Sequence, residues 1–130
     1  MALLGARPLE ALLARDLLAV FASEADVRGF QPNLAGIAAL DAFALIISAP
    51  GRDADFVSRF FAPRAGIDED PVTGSSHCTL VPYWAKRLGK KRLHALQVSK
   101  RGGELYCELR GERVQIAGRV ASYMEGTIEV

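Results

Sequence analysis

Between residues 67 and 77 the chain reads Ile-Asp-Glu-Asp-Pro-Val-Thr-Gly-Ser-Ser-His, and its chemistry is concentrated there. Asp68, Glu69 and Asp70 set three carboxylates in a row. Pro71 fixes its own φ and keeps Asp70 out of the helical region, so this half is expected to be irregular. Thr73, Gly74, Ser75 and Ser76 then form a turn that opens a helix, with Thr73 as the N-cap. The first amides of that helix have no intrahelical acceptor and sit at its positive end, which suits an anion. A carboxylate loop feeding an anion-binding helix start is a local conflict, and such conflicts attend functional sites. Asp70 is the candidate proton carrier, because Asp68 and Glu69 beside it disfavour its charged form. Thr73, Gly74, Ser75 and Ser76 are candidate binders of a carboxylate. Gly74 and Ser75 lead, through backbone N–H groups and the Ser75 hydroxyl, and the same donors would stabilise an enolate-like charge. His77 lines the edge of this site. A structural, hydrogen-bonded histidine is the commoner role there and a proton relay the rarer one. The same residues also spell ordinary turn chemistry, which on spacing alone is the more frequent outcome.

The elements that must position these groups follow from periodicity. Leu80, Val81, Trp84, Ala85 and Leu88 fall on one helical face, so a helix is predicted over residues 75–88, with Gly89 as its stop and Pro82 bending it. Residues 8–15 read as a short helix with Pro8 in its first turn. Residues 16–22, 42–49 and 56–62 are apolar runs that read as buried strands. Between them, Ser23 caps a short helix over residues 25–29, and Asn33 caps another running to about Leu40. Arg59, in the middle of an apolar strand, is predicted to pair with the acidic loop. Residues 94–99 form a strand. Leu105, Cys107 and Leu109 alternate with polar residues, and Gly111-Glu112 is a two-residue hairpin loop of type II′ before a return strand over 113–118. Residues 120–130 read as a last strand or pair, broken at Gly126. About seven strands around one dominant helix, without regular alternation, imply an α+β domain whose mixed sheet curls round that helix.

Composition bounds the function. A chain of 130 residues is one domain, with 50% hydrophobic and 24% charged residues as in soluble globular proteins. A net charge of +1 gives no field to recruit nucleic acid or an anionic membrane. The basic cluster Lys86, Arg87, Lys90, Lys91 and Arg92 is explained by the helix C-terminus it surrounds. No run approaches the ~20 apolar residues of a membrane span, and no signal peptide is visible. Cys78 and Cys107 lack metal-ligand spacing, and Cys78 reads as a small buried hydrophobe. Reduced thiols in a cytoplasmic protein are expected.

The stretch DFVSRFFAPRAGIDEDPVTGSSHCTLVPYWAKRLGK, with the Gly-Gly-Glu-Leu turn and the Leu-Arg-Gly-Glu-Arg-Val hairpin, resembles the C-terminal half of the phenazine-biosynthesis protein F family. The resemblance runs from about Arg7 to the end, and Asp70-Pro-Val-Thr-Gly-Ser75 is its most specific motif. It implies a diaminopimelate epimerase-like fold: two similar halves, each a sheet or barrel around a central helix, with the active site between them. It implies isomerase or epimerase chemistry on small carboxylates by proton transfer, without metal or organic cofactor. Asp70 and Ser75 match cleft-lining positions. The family's acid/base glutamate belongs to the N-terminal half, and no residue here matches it. Cys78 lies too far along the helix to act as the catalytic cysteine of the epimerase relatives.

A half-domain of this kind should expose apolar surface that a second half would cover. A homodimer is therefore expected, or a partner supplying the missing half. In a two-fold dimer the paired Asp70 loops would face one small carboxylate. The competing reading is a non-catalytic module that binds a carboxylate or other anion without turnover.

Overall fold

The computed structural model describes residues 7–130. It contains β1 (Glu10–Leu13), β2 (Leu17–Val20), α1 (Glu24–Gly29), α2 (Leu34–Ala38), β3 (Leu45–Pro50) and β4 (Phe56–Ala62). These are followed by a 3-10 turn at Pro63–Ala65, β5 (Ile67–Asp70), α3 (Gly74–Leu88), β6 (Arg92–Gln97), β7 (Gly103–Arg110) and β8 (Arg113–Ala117). The eight strands make one mixed sheet in the order β1-β2-β3-β4-β6-β7-β8, with β5 joined to β4. The α+β class is as expected. The sheet is open, however, with β1 and β8 as its ends, and not the barrel or strongly curled sheet that the sequence suggested.

Strand alternation sorts the apolar residues into two cores, one on each face. Ile46, Phe56, Phe60, Leu93, Ala95, Leu105 and Cys107 meet Leu80, Val81, Trp84 and Ala85 of α3. Leu45, Ile47, Val57 and Phe61 meet Val27 of α1, Phe30 and Ile37 of α2. Trp84 is held by more than burial: its ring stacks on Phe56 at 5.9 Å and its indole N–H donates to Ser48 Oγ at 2.9 Å. Leu88, expected on the same stripe, is the last residue of α3 and is 41% exposed.

The two short helices start where their caps predict. Ser23 and Asp26 form a reciprocal capping box on α1, and Asn33 Oδ1 accepts from the Gly36 amide on α2. Helix α3 stops at Gly89, whose φ of 66° suits glycine, and it runs through the exposed Pro82 without interruption. The β7–β8 hairpin turns at Gly111, with φ 57°.

Three further expectations fail. Residues 8–15 contain a strand, not a helix: the Leu9 amide donates to Val20 O, and β1 pairs antiparallel with β2 from Glu10↔Val20 to Leu13↔Leu17. Edge pairing overrides the local spacing of the leucines. The acidic stretch is strand β5, not an irregular loop, because the extended backbone that Pro71 imposes on Asp70 is also a strand backbone. Residues 118–130 form no strand, and Val120, Tyr123, Met124 and Ile128 are at least 83% exposed.

The sheet divides at β4. Along one edge β4 pairs with β3 throughout. Along the other, Phe56–Ser58 pairs with β6 in parallel while Phe60 and Ala62 pair with β5. The chain leaving β5 therefore enters α3 beside the end of β6. Gly103, at the start of β7, supports this junction from outside: a Cβ there would overlap the Val72 side chain. Val72 has few rotamers and little room to yield. Gly103→Ala should lower stability by about 1–3 kcal/mol in urea denaturation. An unchanged midpoint would show that Val72 moves freely.

Candidate active site at the start of α3

The sheet's fork is fastened on both faces. On the α1 side, Arg59 forms a two-bond pair with Glu69, at 2.7 and 3.0 Å. Its Nη1 also donates to the Val27 and Phe30 carbonyls at the end of α1, at 3.2 and 2.8 Å. The predicted Arg59 pairing is thus present and structural. It also separates the three acids: Glu69 turns toward Arg59, and Asp70, next along the strand, turns toward α3. Asp70 therefore lacks the crowding by both neighbours expected from sequence.

On the α3 side the fastening is Gln97, the buried last residue of β6. Gln97 Oε1 accepts from the Thr73 amide at 2.7 Å. Its Nε2 donates to Asp70 O at 2.8 Å and to Thr73 Oγ1 at 3.0 Å. Thr73 Oγ1 accepts there, so its proton goes to Asp70 Oδ2, at 2.5 Å. This fixes the Asp70 carboxylate through one oxygen. Among the described residues no hydrogen bond falls on Oδ1. Thr73 is the N-cap residue by position, but its hydroxyl makes no cap bond to α3. It is committed to Asp70, which leaves the helix's first amides available. Ser99 Oγ adds a bond to Pro71 O at 2.8 Å, securing the loop from the far side.

The first turn of α3 splits into an open and a closed side. Gly74 and Ser75 are exposed, while Ser76 and His77 are buried. Ser76 Oγ donates to Thr73 O at 2.9 Å. His77 Nδ1 lies 2.7 Å from the same carbonyl, which can only accept, so Nδ1 carries the proton. Burial holds the His77 pKa below its usual 6.5, favouring the neutral ring. The side chains of Ser76 and His77 thus face the core, not a ligand. Cys78 is exposed, not a buried hydrophobe, because it falls on the outer side of the helix.

Arg15 arrives over the open side from the β1–β2 turn. Its Nη2 lies 3.3 Å from Ser75 Oγ. Two bonds to Asp16 hold the guanidinium, at 3.1 and 2.7 Å, and Asp16 is itself buried. The guanidinium also lies over the Phe43 ring, 5.1 Å from its centre. The junction therefore gathers the half-buried Asp70 carboxylate, the first amides of a 15-residue helix and a braced arginine. It can hold an anion at the helix start beside a carboxylate able to take a proton. It is exposed at Gly74 and Ser75, and a hollow beside it is lined by Asp68, Glu69, Pro71, Ser99, Lys100 and Arg101. Among the described residues no group of three or more His, Cys, Asp or Glu side chains is placed to hold a metal ion.

The family model for phenazine biosynthesis-like proteins matches residues 8–126. This chain belongs to that family. An uncharacterized isomerase of Pseudomonas aeruginosa is 52% identical over 128 residues, covering 98% of this chain and 49% of that protein. A crystal structure of a phenazine biosynthesis protein of this family from Enterococcus faecalis superposes with a TM-score of 0.88 at 47% identity, covering 90% of this chain and 45% of that one. A second, from Clostridium difficile, gives 0.87 at 44% identity over 97% of this chain and 49% of that one. The chain thus spans about half the length of the curated relatives it matches.

In this phenazine biosynthesis-like chain, the sequence located Asp70, Thr73, Gly74 and Ser75 at one junction but missed Gln97 and Arg15. A glutamine at an apolar position in a strand, between Leu96 and Val98, was the available signal for the first. Arg15 carried none, since nothing local relates it to a residue 60 positions away. Two outcomes are expected. Gln97→Leu leaves the Thr73 amide and the Asp70 carbonyl buried without partners and should cost at least about 2 kcal/mol in denaturant titration. His77 resists protonation when folded but not when unfolded. Its contribution should be complete above pH 6.5 and be lost as pH falls from there toward the depressed folded value. Urea midpoints across that range should fall more steeply for the wild type than for His77→Gln.

Proposed function

We propose that this chain supplies one side of an isomerase or epimerase site that moves a proton on a small carboxylate without metal or organic cofactor. The single observation that carries the reading is the placing of the Asp70 carboxylate next to the open amides of Gly74 and Ser75, with Arg15 above them. In this reading the substrate carboxylate lies at the start of α3, held by those amides and the Arg15 guanidinium. Asp70 Oδ1 takes the proton from the carbon next to that carboxylate. The electron pair left behind moves onto the carboxylate oxygens, where the helix start and Arg15 stabilise it. Return of a proton at the opposite face or at a neighbouring carbon completes the isomerisation.

In this reading the second proton carrier belongs to a facing copy or partner; of the groups near Asp70, Glu69 is tied to Arg59 and His77 is buried, while Asp68 and Cys78 face solvent. We infer that a second copy of this chain, or a partner equivalent to an N-terminal half, closes the open junction. The chain is then equivalent to the C-terminal half of a two-domain isomerase. The lengths of the relatives support this, since each is about twice as long as the stretch matched here. In a homodimer two Asp70 carboxylates flank the substrate, and their proximity separates their proton affinities. A cytoplasmic setting, with both cysteines free, belongs to the same reading. Among the described residues no helix is long and apolar enough to cross a membrane.

One observation favours a second reading, binding without turnover: Gly74 and Ser75 face solvent at the helix start, where their amides can hold an anion with no proton moved. Solvent-deuterium incorporation into a panel of amino, hydroxy and unsaturated carboxylates separates the two. Catalysis predicts incorporation that falls at least about 100-fold in Asp70→Asn, as expected for a lost general base. Arg15→Ala should weaken carboxylate binding about 10-fold or more, the loss of one charge-assisted contact. Binding with no exchange in the wild type would leave a carboxylate-binding module. No binding at all, from a protein that sediments as a monomer, would remove both readings.

A further inference from the structure

Among the described residues two buried side-chain atoms have no hydrogen-bond partner: Ser58 Oγ on β4 and His77 Nε2 on α3. We propose that one ordered internal water molecule bridges them and ties the first turn of α3 to the centre of the sheet.

The register puts Ser58 on the sheet face that packs on α3, the helix in which His77 is buried. Ser58 is opposite Ser48 on β3 and opposite Gln97 on β6, so Ser48, Ser58 and Gln97 form a row across three strands on the α3 face. Both ends of that row touch the helix segment. Gln97 bonds Thr73 at its start, and Ser48 accepts from Trp84 further along. Ser58 is the middle member of that row, and His77 stands between Thr73 and Trp84 in the chain. Phe56, two residues before Ser58 on the same strand face, packs against both rings, with centroids 5.9 Å from His77 and 5.9 Å from Trp84.

The chemistry of the two atoms is complementary. His77 Nδ1 holds its proton against Thr73 O, so Nε2 presents a lone pair and needs a donor. Ser58 presents a hydroxyl that both donates and accepts. Each atom left alone in the core would lose the hydrogen bonds it makes to water in the unfolded chain, and buried polar groups of native proteins are nearly always paired. A single water satisfies both: it donates one O–H to Nε2 and accepts the Ser58 proton. Ser48 Oγ, which donates to Val57 O at 2.7 Å, keeps a lone pair that can take the second O–H. Three polar partners are the usual number for a buried water. Through this bridge the carbonyl of Thr73, and with it the exposed amides of Gly74 and Ser75, is braced against the central strand.

The test uses the full chain and two measurements. Long-range proton–nitrogen NMR on nitrogen-15 histidine-labelled protein should show His77 protonated at Nδ1 and bare at Nε2. A high-resolution crystal structure should show one discrete water at about 2.7–3.2 Å from both Nε2 and Ser58 Oγ. Ser58→Val, which fills the space with a methyl group, should abolish that density and move the His77 nitrogen resonances. An Nε2-protonated His77, a direct Ser58–His77 hydrogen bond or a dry gap in the wild type would each overturn the proposal. So would a water that persists unchanged in Ser58→Val. Should that variant fail to fold, the two wild-type measurements decide the matter alone.

Discussion

The geometry of the junction rests on one side chain, Gln97. Strand β4 serves two strands along one edge, β5 and β6, and the chain from β5 to α3 runs past the end of β6. There Gln97 meets the Thr73 amide and the Asp70 carbonyl with its two ends. A buried primary amide suits this task because it offers an acceptor and two donors in one plane. The third bond, to Thr73 Oγ1, decides the direction of the Thr73 hydroxyl and so the orientation of Asp70. A glutamine in the core thus turns a defect in sheet pairing into a fixed carboxylate. Arg59 does the equivalent work on the opposite face, where a flexible cation can reach Glu69 and the end of α1 together.

Electrostatics explains why the arrangement is poised and not merely stable. A helix start next to a carboxylate is usually resolved by letting the carboxylate cap the helix. Here Asp70 accepts from Thr73 instead, and Thr73 makes no cap bond, so the positive end of α3 is left without an internal anion. Arg15 adds a second positive group, and buried Asp16 fixes its position while offsetting part of its charge. The open side of the first turn can then accept an external anion at little cost in rearrangement. The closed side, Ser76 and His77, is devoted to holding the Thr73 carbonyl.

The junction is a surface and not an enclosed cleft, with Gly74 and Ser75 exposed. Enclosure matters to proton transfer from carbon, because electrostatic stabilisation of the developing charge is strong only where water is excluded. The chain spans about half the length of the curated relatives it matches, and the described surface leaves the first amides of α3 open.

Much of the arrangement was legible in the sequence where the cause is local. Ser23, Asn33 and Gly89 mark their helix ends because caps are decided by neighbouring backbone. The β4 strand is bounded as its apolar run predicts, and Asp70-Pro-Val-Thr-Gly-Ser75 is placed correctly at the start of α3. The leucines of residues 8–15 misled, because an edge strand is fixed by its partner and not by its own spacing. Whether the sheet closes was equally invisible, since closure depends on whether its two end strands meet. What the sequence determined by itself was the set of reactive groups and the turn that presents them, since backbone preference acts over a few residues. Only the tertiary structure decided which groups face outward and what holds them: Gln97 and Arg15 reach the junction across 24 and 60 residues. Contacts at that separation exist only once the strands have been put in order.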